Sequence, residues 1–402
     1  MSDLLVVSVF GREGLNLVSE KKVPDFEENR IDCRCHASDE SVMSVVDKED
    51  PGVILTFGEQ ERYPELMAAP YEVRRKWITL PEGMGNEEIG ATVFGSFIRG
   101  VCNPKRDLPL VTVFTPAYKT GDRLRKPLAS LMAQTYTNWE WVVMDDSDGD
   151  KTFEKLCDMA LQDARIRPYK ADKHLGKIGA LKRDGCGLAR GTILVELDHD
   201  DELTPWALES VVETYDKFGD EVGFVYTDFA ECFEDGTPVK YGEGWGMGYG
   251  SYRDEVHHGQ RYAVVNSPNI NAKTIRHIVA APNHIRSWRK SVYDAVGGHN
   301  PDMHVVDDYE LMVRTFLETR MARVPKMCYV QYRNRTGNTH QTRNKEIQRL
   351  VRHVSVEMDK RIHERLLELG VDDFVWQKGM PTFYRMQMIP NPEKESHCTL
   401  IL

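Results

Sequence analysis

Eight cysteines scattered over 402 residues are too few to staple a fold, so a disulfide framework is excluded and a reduced, cytoplasmic protein is expected. No run of about 18 uncharged apolar residues occurs, and a membrane-spanning helix needs one. Positive charge is also short: 52 Lys and Arg face 63 Asp and Glu, a formal net charge of −11. A chain of that sign releases few phosphate counterions, so general nucleic-acid binding is not expected. The amino-terminal apolar run follows an acid instead of the basic start of a secretory leader, and Cys398 stands fifth from the end, outside a prenylation box. After Cys33-Arg34-Cys35-His36 no second Cys or His pair follows at ligand spacing, which argues against a zinc site.

What is present is ordinary for a globular protein, with 41% hydrophobic and 29% charged residues. At about 150 residues per domain the length corresponds to roughly two to three domains. Residues 1–106 alternate short apolar runs (4–10, 52–57, 77–80) with charged stretches. An amphipathic pattern over residues 61–76 is broken by Pro70, and the whole reads as a small α/β accessory domain. Residues 103–109, polar and carrying Pro104 and Pro109, read as a linker. Residues 107–340 then alternate regularly. Strands are predicted over 110–114, 139–144, 166–169 and 192–197, and helices over 123–134, 151–162 and 177–189. Thr204 is expected to cap a further helix with Pro205 at its first position. Strands this continuously apolar predict a parallel sheet covered on both faces. Asp235-Gly236 predicts a hairpin turn after residues 222–233. Residues 341–402 read as a long amphipathic helix, 344–369, and a tail.

Ligands in an open α/β sheet bind beyond the carboxyl ends of its strands. Here those ends read Thr115-Pro116-Ala117-Tyr118, Asp145-Asp146-Ser147-Asp148 and Asp198-His199-Asp200-Asp201. Acids so closely spaced repel one another unless a cation or several donors compensate. Helix capping accounts for Asp148 or Asp150, but less well for Asp198–Asp201, which follow an apolar strand directly.

The order of motifs completes the reading. Val111-Thr112-Val113-Phe114-Thr115-Pro116-Ala117-Tyr118, Leu128 to Tyr136, and Trp139 to Ser147 come first. Gly176, Lys182-Arg183-Asp184, Gly191, Leu197-Asp198-His199-Asp200-Asp201, Gly297-Gly298-His299 and Asp307-Asp308-Tyr309-Glu310-Leu311 follow. Residues 108–335 thus resemble a family 2 glycosyltransferase of the GT-A fold, a Rossmann-like α/β domain with helices on both faces of a mostly parallel sheet. The resemblance implies an inverting glycosyltransferase that uses a nucleoside-diphosphate sugar, with UDP the expected carrier, and a glycan or glycoconjugate acceptor. It implies Mn²⁺ or Mg²⁺ on carboxylates of the Asp-x-Asp turn, stabilising the departing diphosphate.

By the same resemblance Asp198 lies near the ribose or metal, and Asp200 and Asp201 bind metal and donor sugar. Asp146, with Asp145 second, contacts the base, and Thr115, Pro116 and Tyr118 line the nucleoside pocket. Lys182 and Arg183 meet donor phosphates, or else occupy an exposed helix face. Asp308 matches the catalytic base, with Asp307 standing where the family usually has Glu. The family's downstream Tyr-Arg-x-His is replaced by Tyr332-Arg333-Asn334-Arg335, so Arg335 is a candidate for the diphosphate and His340 for a displaced metal ligand. Glycines at 242, 244, 246, 248 and 250, interleaved with Tyr241, Trp245, Tyr249 and Tyr252, read as a lid whose aromatics stack on sugar. His284, Arg286, Trp288 and Arg289 are candidates for the acceptor site, with Trp288 equally a core residue. A sugar nucleotidyltransferase would need a Gly-rich loop ending in Thr-Arg after the first strand, which residues 115–122 lack. A degenerate, purely carbohydrate-binding relative is disfavoured by the near-complete acid set. The amino-terminal piece is a candidate for acceptor positioning or for self-association into a homo-oligomer.

Overall fold

The computed structural model describes residues 4–15, 30–37, 40–74, 76–86, 88–90, 92–93, 108–242, 248–257, 259–277, 283–335, 342–378, 380 and 398–401. The chain divides into two compact units, Met1–Leu108 with Thr135–Thr137, and Pro109–Gln134 with Asn138–Leu402.

In the first unit β1 (Leu4–Phe10), β2 (Arg30–His36), β3 (Val53–Phe57) and β4 (Trp77–Leu80) form a parallel sheet in the order β2-β1-β3-β4. The two-residue strand period sorts its side chains. Val7, Val9, Val53, Leu55 and Phe57 make one apolar layer, while Phe10 and Ile54 join Val45 and Val46 of the helix Val42–Glu49 in the other. That helix was not legible in the sequence. Its first turn is capped by Ser41, whose hydroxyl accepts the Ser44 N–H. The amphipathic stretch at 61–76 becomes two short helices, Pro64–Met67 and Tyr71–Arg74, parted at Pro70.

The second unit is built on β5 (Val111–Ala117), β6 (Trp139–Asp145), β7 (Ile166–Lys170) and β8 (Ile193–Glu196), all parallel. The helices Arg125–Met132, Lys151–Gln162 and Ile178–Gly187 alternate with them. Beyond β8 the sheet becomes mixed, within the mostly parallel sheet expected. β13 (Arg286–Arg289) runs antiparallel between β8 and β10 (Val222–Phe233), and β14 (Arg320–Arg333) lies parallel to β10. Two reversals restore direction, so β5, β6, β8, β10 and β14 all end on one side of the sheet. The hairpin of β11 (Ser251–His257) and β12 (Gln260–Asn266) extends the β10 edge. β9 (Glu202–Leu203) and β15 (Thr399–Ile401) pair with β14. The Asp235-Gly236 turn forms, with the Phe233 N–H donating to Thr237 O at 2.9 Å.

Thr204 does not cap the next helix. Its hydroxyl donates to Met327 O at 3.1 Å and its N–H to Cys328 O at 3.0 Å, tying it to β14, and the helix starts only at Ala207. The long helix Asn344–Glu368 packs into the main core through Ile347, Val351, Val354, Ile362 and Leu366, beside Trp288 of β13 and Tyr309, Met312 and Phe316 of the helix Asp307–Glu318.

Candidate functional site

The turn after β8 carries the first acid group. Tyr329 of β14 organises it: its hydroxyl donates to Asp201 Oδ2 at 2.8 Å and accepts the Asp198 N–H at 3.0 Å. The Tyr332 N–H donates to Asp201 Oδ1 at 2.7 Å, so both oxygens of this buried side chain are engaged. Burial, then repulsion from Asp198 and Asp200, pushes the Asp201 carboxyl well above the usual range. Asp200 is raised too, by burial and by Asp198, although His199 and Arg123 stand 3.9 and 3.8 Å from it. At Asp198 burial also favours the neutral form, but His284 at 3.4 Å and Lys182 outweigh it and hold the group at about 2. The side chains of Asp198 and Asp200 are 30% and 22% exposed. Of the three aspartates predicted as metal ligands, two therefore keep partly exposed side chains and the third is locked into the fold.

The second acid group opens the helix Asp307–Glu318. Val306 just before it has φ of 67°, a left-handed conformation that a β-branched residue adopts at a cost of about 1–3 kcal/mol. Asp308 Oδ1 accepts the Tyr309 N–H at 2.7 Å, and Oδ2 accepts from Arg286 Nη1 at 2.6 Å. Asp307, buried, accepts from Lys182 Nζ at 3.0 Å; burial raises its carboxyl despite that partner. Lys182 in turn lies 2.6 Å from Glu196 Oε1, and Arg286 grips both Glu196 oxygens at 2.8 and 3.2 Å. The helix carrying Lys182 closely approaches the loop that precedes the helix Asp307–Glu318: a Cβ on Gly179 would stand 2.1 Å from Asn300 O. His284 Nε2 is 3.2 Å from Arg286 Nη2, and its ring stacks on Tyr329 with centroids 4.4 Å apart. Asp198, His284, Arg286 and Asp308 thus form one unbroken chain of contacts of 3.4, 3.2 and 2.6 Å between the two acid groups.

The ends of β5 and β6 form a third part. Asp146 accepts the N–H groups of Leu175 and Gly176 at 2.7 and 3.2 Å and lies 2.9 Å from His174 Nδ1. Asp145 Oδ1 accepts the Ser147 hydroxyl at 2.5 Å, while its Oδ2 is buried without a hydrogen-bond partner. Tyr118 is exposed and stacks on His174 at 4.8 Å. Thr115 and Pro116 lie within β5, which runs past the predicted end. Thr115 is buried and accepts the Trp141 indole N–H at 2.8 Å, so it is a sheet residue and not a pocket wall. Pro116 faces the acid turn through its carbonyl, 3.2 Å from His199 Nδ1.

Other expectations are corrected. Lys182 is buried between carboxylates and is not available to donor phosphates, whereas Arg183, one position on, sits on the exposed helix face. Trp288 is fully buried and donates to Thr315 Oγ1 at 3.0 Å, a core residue remote from any acceptor. Arg335 pairs with Asp235 at the hairpin turn and is 65% exposed. Trp245 and His340 lie outside the described residues, as does residue 243–247 of the glycine-aromatic stretch. Among the described residues no three His, Cys, Asp or Glu side chains converge to hold a metal by themselves. Sequence reasoning missed Glu196. The signal was present: one acid inside an otherwise apolar strand demands buried cations.

Carboxylates grouped at the ends of parallel strands are thus joined to a second carboxylate pair that opens a helix beside them. Residues 112–294 match the family model of glycosyl transferase family 2. Chondroitin synthase of Escherichia coli is 23% identical over 222 residues, 55% of this chain and 29% of that protein. The succinoglycan biosynthesis protein ExoO of Rhizobium meliloti is 33% identical over 115 residues, 29% of this chain and 32% of that protein. The matches span less than a third of these relatives' own lengths. Among solved structures, S. aureus TarS 1–349 in complex with UDP-GlcNAc is similar with a TM-score of 0.47 at 15% identity, covering 64% of this chain and 72% of that one.

Proposed function

We propose that the chain is an inverting, divalent-cation-dependent glycosyltransferase that moves a sugar from a nucleoside-diphosphate sugar, UDP-linked, to a hydroxyl of a glycan or glycoconjugate acceptor. The observation that carries this reading is the short contact chain from Asp198 to Asp308, which supports a diphosphate-side role for the first and a proton-accepting role for the second. In a single displacement the acceptor oxygen attacks the anomeric carbon as the bond to the diphosphate breaks, and its proton passes to Asp308 Oδ2.

The acid turn fits a divalent cation. Asp198 and Asp200 keep partly exposed side chains, and burial followed by repulsion from Asp198 raises the proton affinity of Asp200, a charge balance that a cation would relieve. Mg²⁺ and Mn²⁺ favour oxygen ligands, and Mg²⁺ is commonly held by one or two carboxylates together with phosphate oxygens, which suits two available Asp side chains. Bound there, the cation would supply charge stabilisation of the leaving diphosphate. Tyr118 and His174 offer a stacked aromatic wall for the nucleoside, with the unpaired Asp145 Oδ2 and the fully engaged Asp146 beside it. The relatives' names, a chondroitin synthase and a succinoglycan biosynthesis protein, support a glycan acceptor. The first unit is read as an accessory domain for acceptor positioning or self-association.

The test is a panel of nucleotide sugars with Mn²⁺ or Mg²⁺, scored for diphosphate release. Release from one donor, abolished by a chelator, is expected. No release from any donor overturns the activity, and turnover that survives chelation overturns the cation.

No membrane-crossing helix, long and apolar enough to span a bilayer, occurs among the described residues.

A further inference from the structure

We infer that Glu196, Lys182 and Arg286 form a buried electrostatic clamp that fixes the geometry of the Asp307-Asp308 pair, with Arg286 the positioning residue for Asp308; this rests on the reading of Asp308 as the proton acceptor.

The geometry is that of a hub with two arms. Glu196, fully buried at the end of β8, is the hub. Lys182 bridges it to Asp307 at 2.6 and 3.0 Å, and Arg286 bridges it to Asp308 at 2.8 and 2.6 Å. Each member of the acid pair is therefore tied by its own cation to one carboxylate on a central strand. Arg286 Nε and Nη2 face the two oxygens of Glu196, so the planar guanidinium has no rotational freedom left, and Nη1 aims at Asp308 in one direction only. A lysine at this position could reach one of the two carboxylates but could not orient one against the other.

Stability alone does not account for the cluster. Buried ion groups are often replaceable by apolar residues without loss, so their gain lies in fixing one arrangement. The acid pair needs that fixing. It follows a residue held in a left-handed conformation, and a reacting group displaced by about 1 Å can cost about 100-fold in rate. Arg286 and Lys182 have side chains only 4% and 5% exposed, so neither reaches an acceptor and both act through the carboxylates they hold. The contact of Arg286 Nη2 with His284, itself against Asp198, sets the same clamp in register with the acid turn.

The experiment compares wild type, Asp308→Asn, Arg286→Lys, Arg286→Gln and Glu196→Gln on one donor with Mn²⁺, measuring kcat, donor KM and UDP affinity by calorimetry. In both Arg286 variants and in Glu196→Gln, kcat is expected to fall about 100-fold while donor KM and UDP affinity stay within about threefold. Arg286→Lys should fail as badly as Arg286→Gln, because geometry and not charge is lost. A folded Arg286 variant with kcat within about fivefold of wild type overturns the clamp, as does an equal loss in kcat and UDP affinity. If Arg286→Gln does not fold, Arg286→Lys decides on the same numbers. A wild type inactive on every donor removes the proton-acceptor reading and the clamp together. An active wild type with a dead Asp308→Asn and a tolerant Arg286 removes the clamp alone.

Discussion

The two acid groups lie three contacts apart and are neutralised in different ways. The pair at 307–308 is matched by Lys182 and Arg286, cations that the fold buries beside it. The turn at 198–201 is held chiefly by neutral donors, the Tyr329 hydroxyl and the Tyr332 N–H, with His284 near Asp198, the exposed Arg123 3.8 Å from Asp200, and Lys182 acting on Asp198 from farther off. Burial raises the carboxyls of Asp200 and Asp201, and of Asp307 in the other group, whereas at Asp198 His284 and Lys182 outweigh burial and hold the group at about 2. The 307–308 group, whose two cations also serve Glu196, is the more complete in its charge, and the turn is the less complete.

The largest expected effect breaks the complete group. Asp308→Asn keeps the side-chain shape but cannot take a proton, so transfer should drop by about 10²- to 10⁴-fold with UDP affinity within a few-fold. Near-normal turnover in a steady-state assay would remove Asp308 from the mechanism. Next, Asp200→Ala strikes the incomplete group. UDP binding in Mn²⁺ should weaken by about tenfold or more, while binding in chelator stays as in wild type. Equal calorimetric titrations with and without the substitution would count against cation binding at the turn. A smaller effect, on stability alone, separates site from core. Trp288→Ala should lower the unfolding free energy by about 3–5 kcal/mol in denaturant titration, with the folded fraction keeping its acceptor KM. A changed KM would return Trp288 to the acceptor site.

The smallest effect concerns pH. The folded-state pKa of Asp201 is raised, so its ionisation weakens the fold: the stabilising, protonated condition holds at low pH and is lost as pH rises through the folded value. Asp201→Asn should therefore raise the melting temperature at pH 8, and the gain should shrink toward pH 4. A melting temperature lowered at every pH would show that the two hydrogen bonds to Asp201 outweigh its charge.

Much of the second unit was legible because its signals are local. Apolar runs bounded by turns located β5 to β8, and spacing by three and four located the helix Asn344–Glu368 and its buried face. The order of motifs located both acid groups. What was not legible depends on partners far away in sequence. Lys182 looks like any basic helix residue until Glu196 and Asp307 close on it, 14 and 125 positions away. Thr204 has the sequence of a cap but bonds to β14 instead, across more than a hundred residues. β13 is four residues long and polar at both ends, with no periodicity to betray it, so the antiparallel insertion that makes the sheet mixed could not be read.

Tyr329 makes a mechanical link out of a single side chain. Its oxygen straddles the two ends of the Asp198–Asp201 bend while its ring carries the imidazole of His284. A sideways slip of β14 would therefore drag the bend and the imidazole together instead of prying them apart. Losing the hydroxyl alone, as in Tyr329→Phe, should uncouple that lever and leave the ring stack intact.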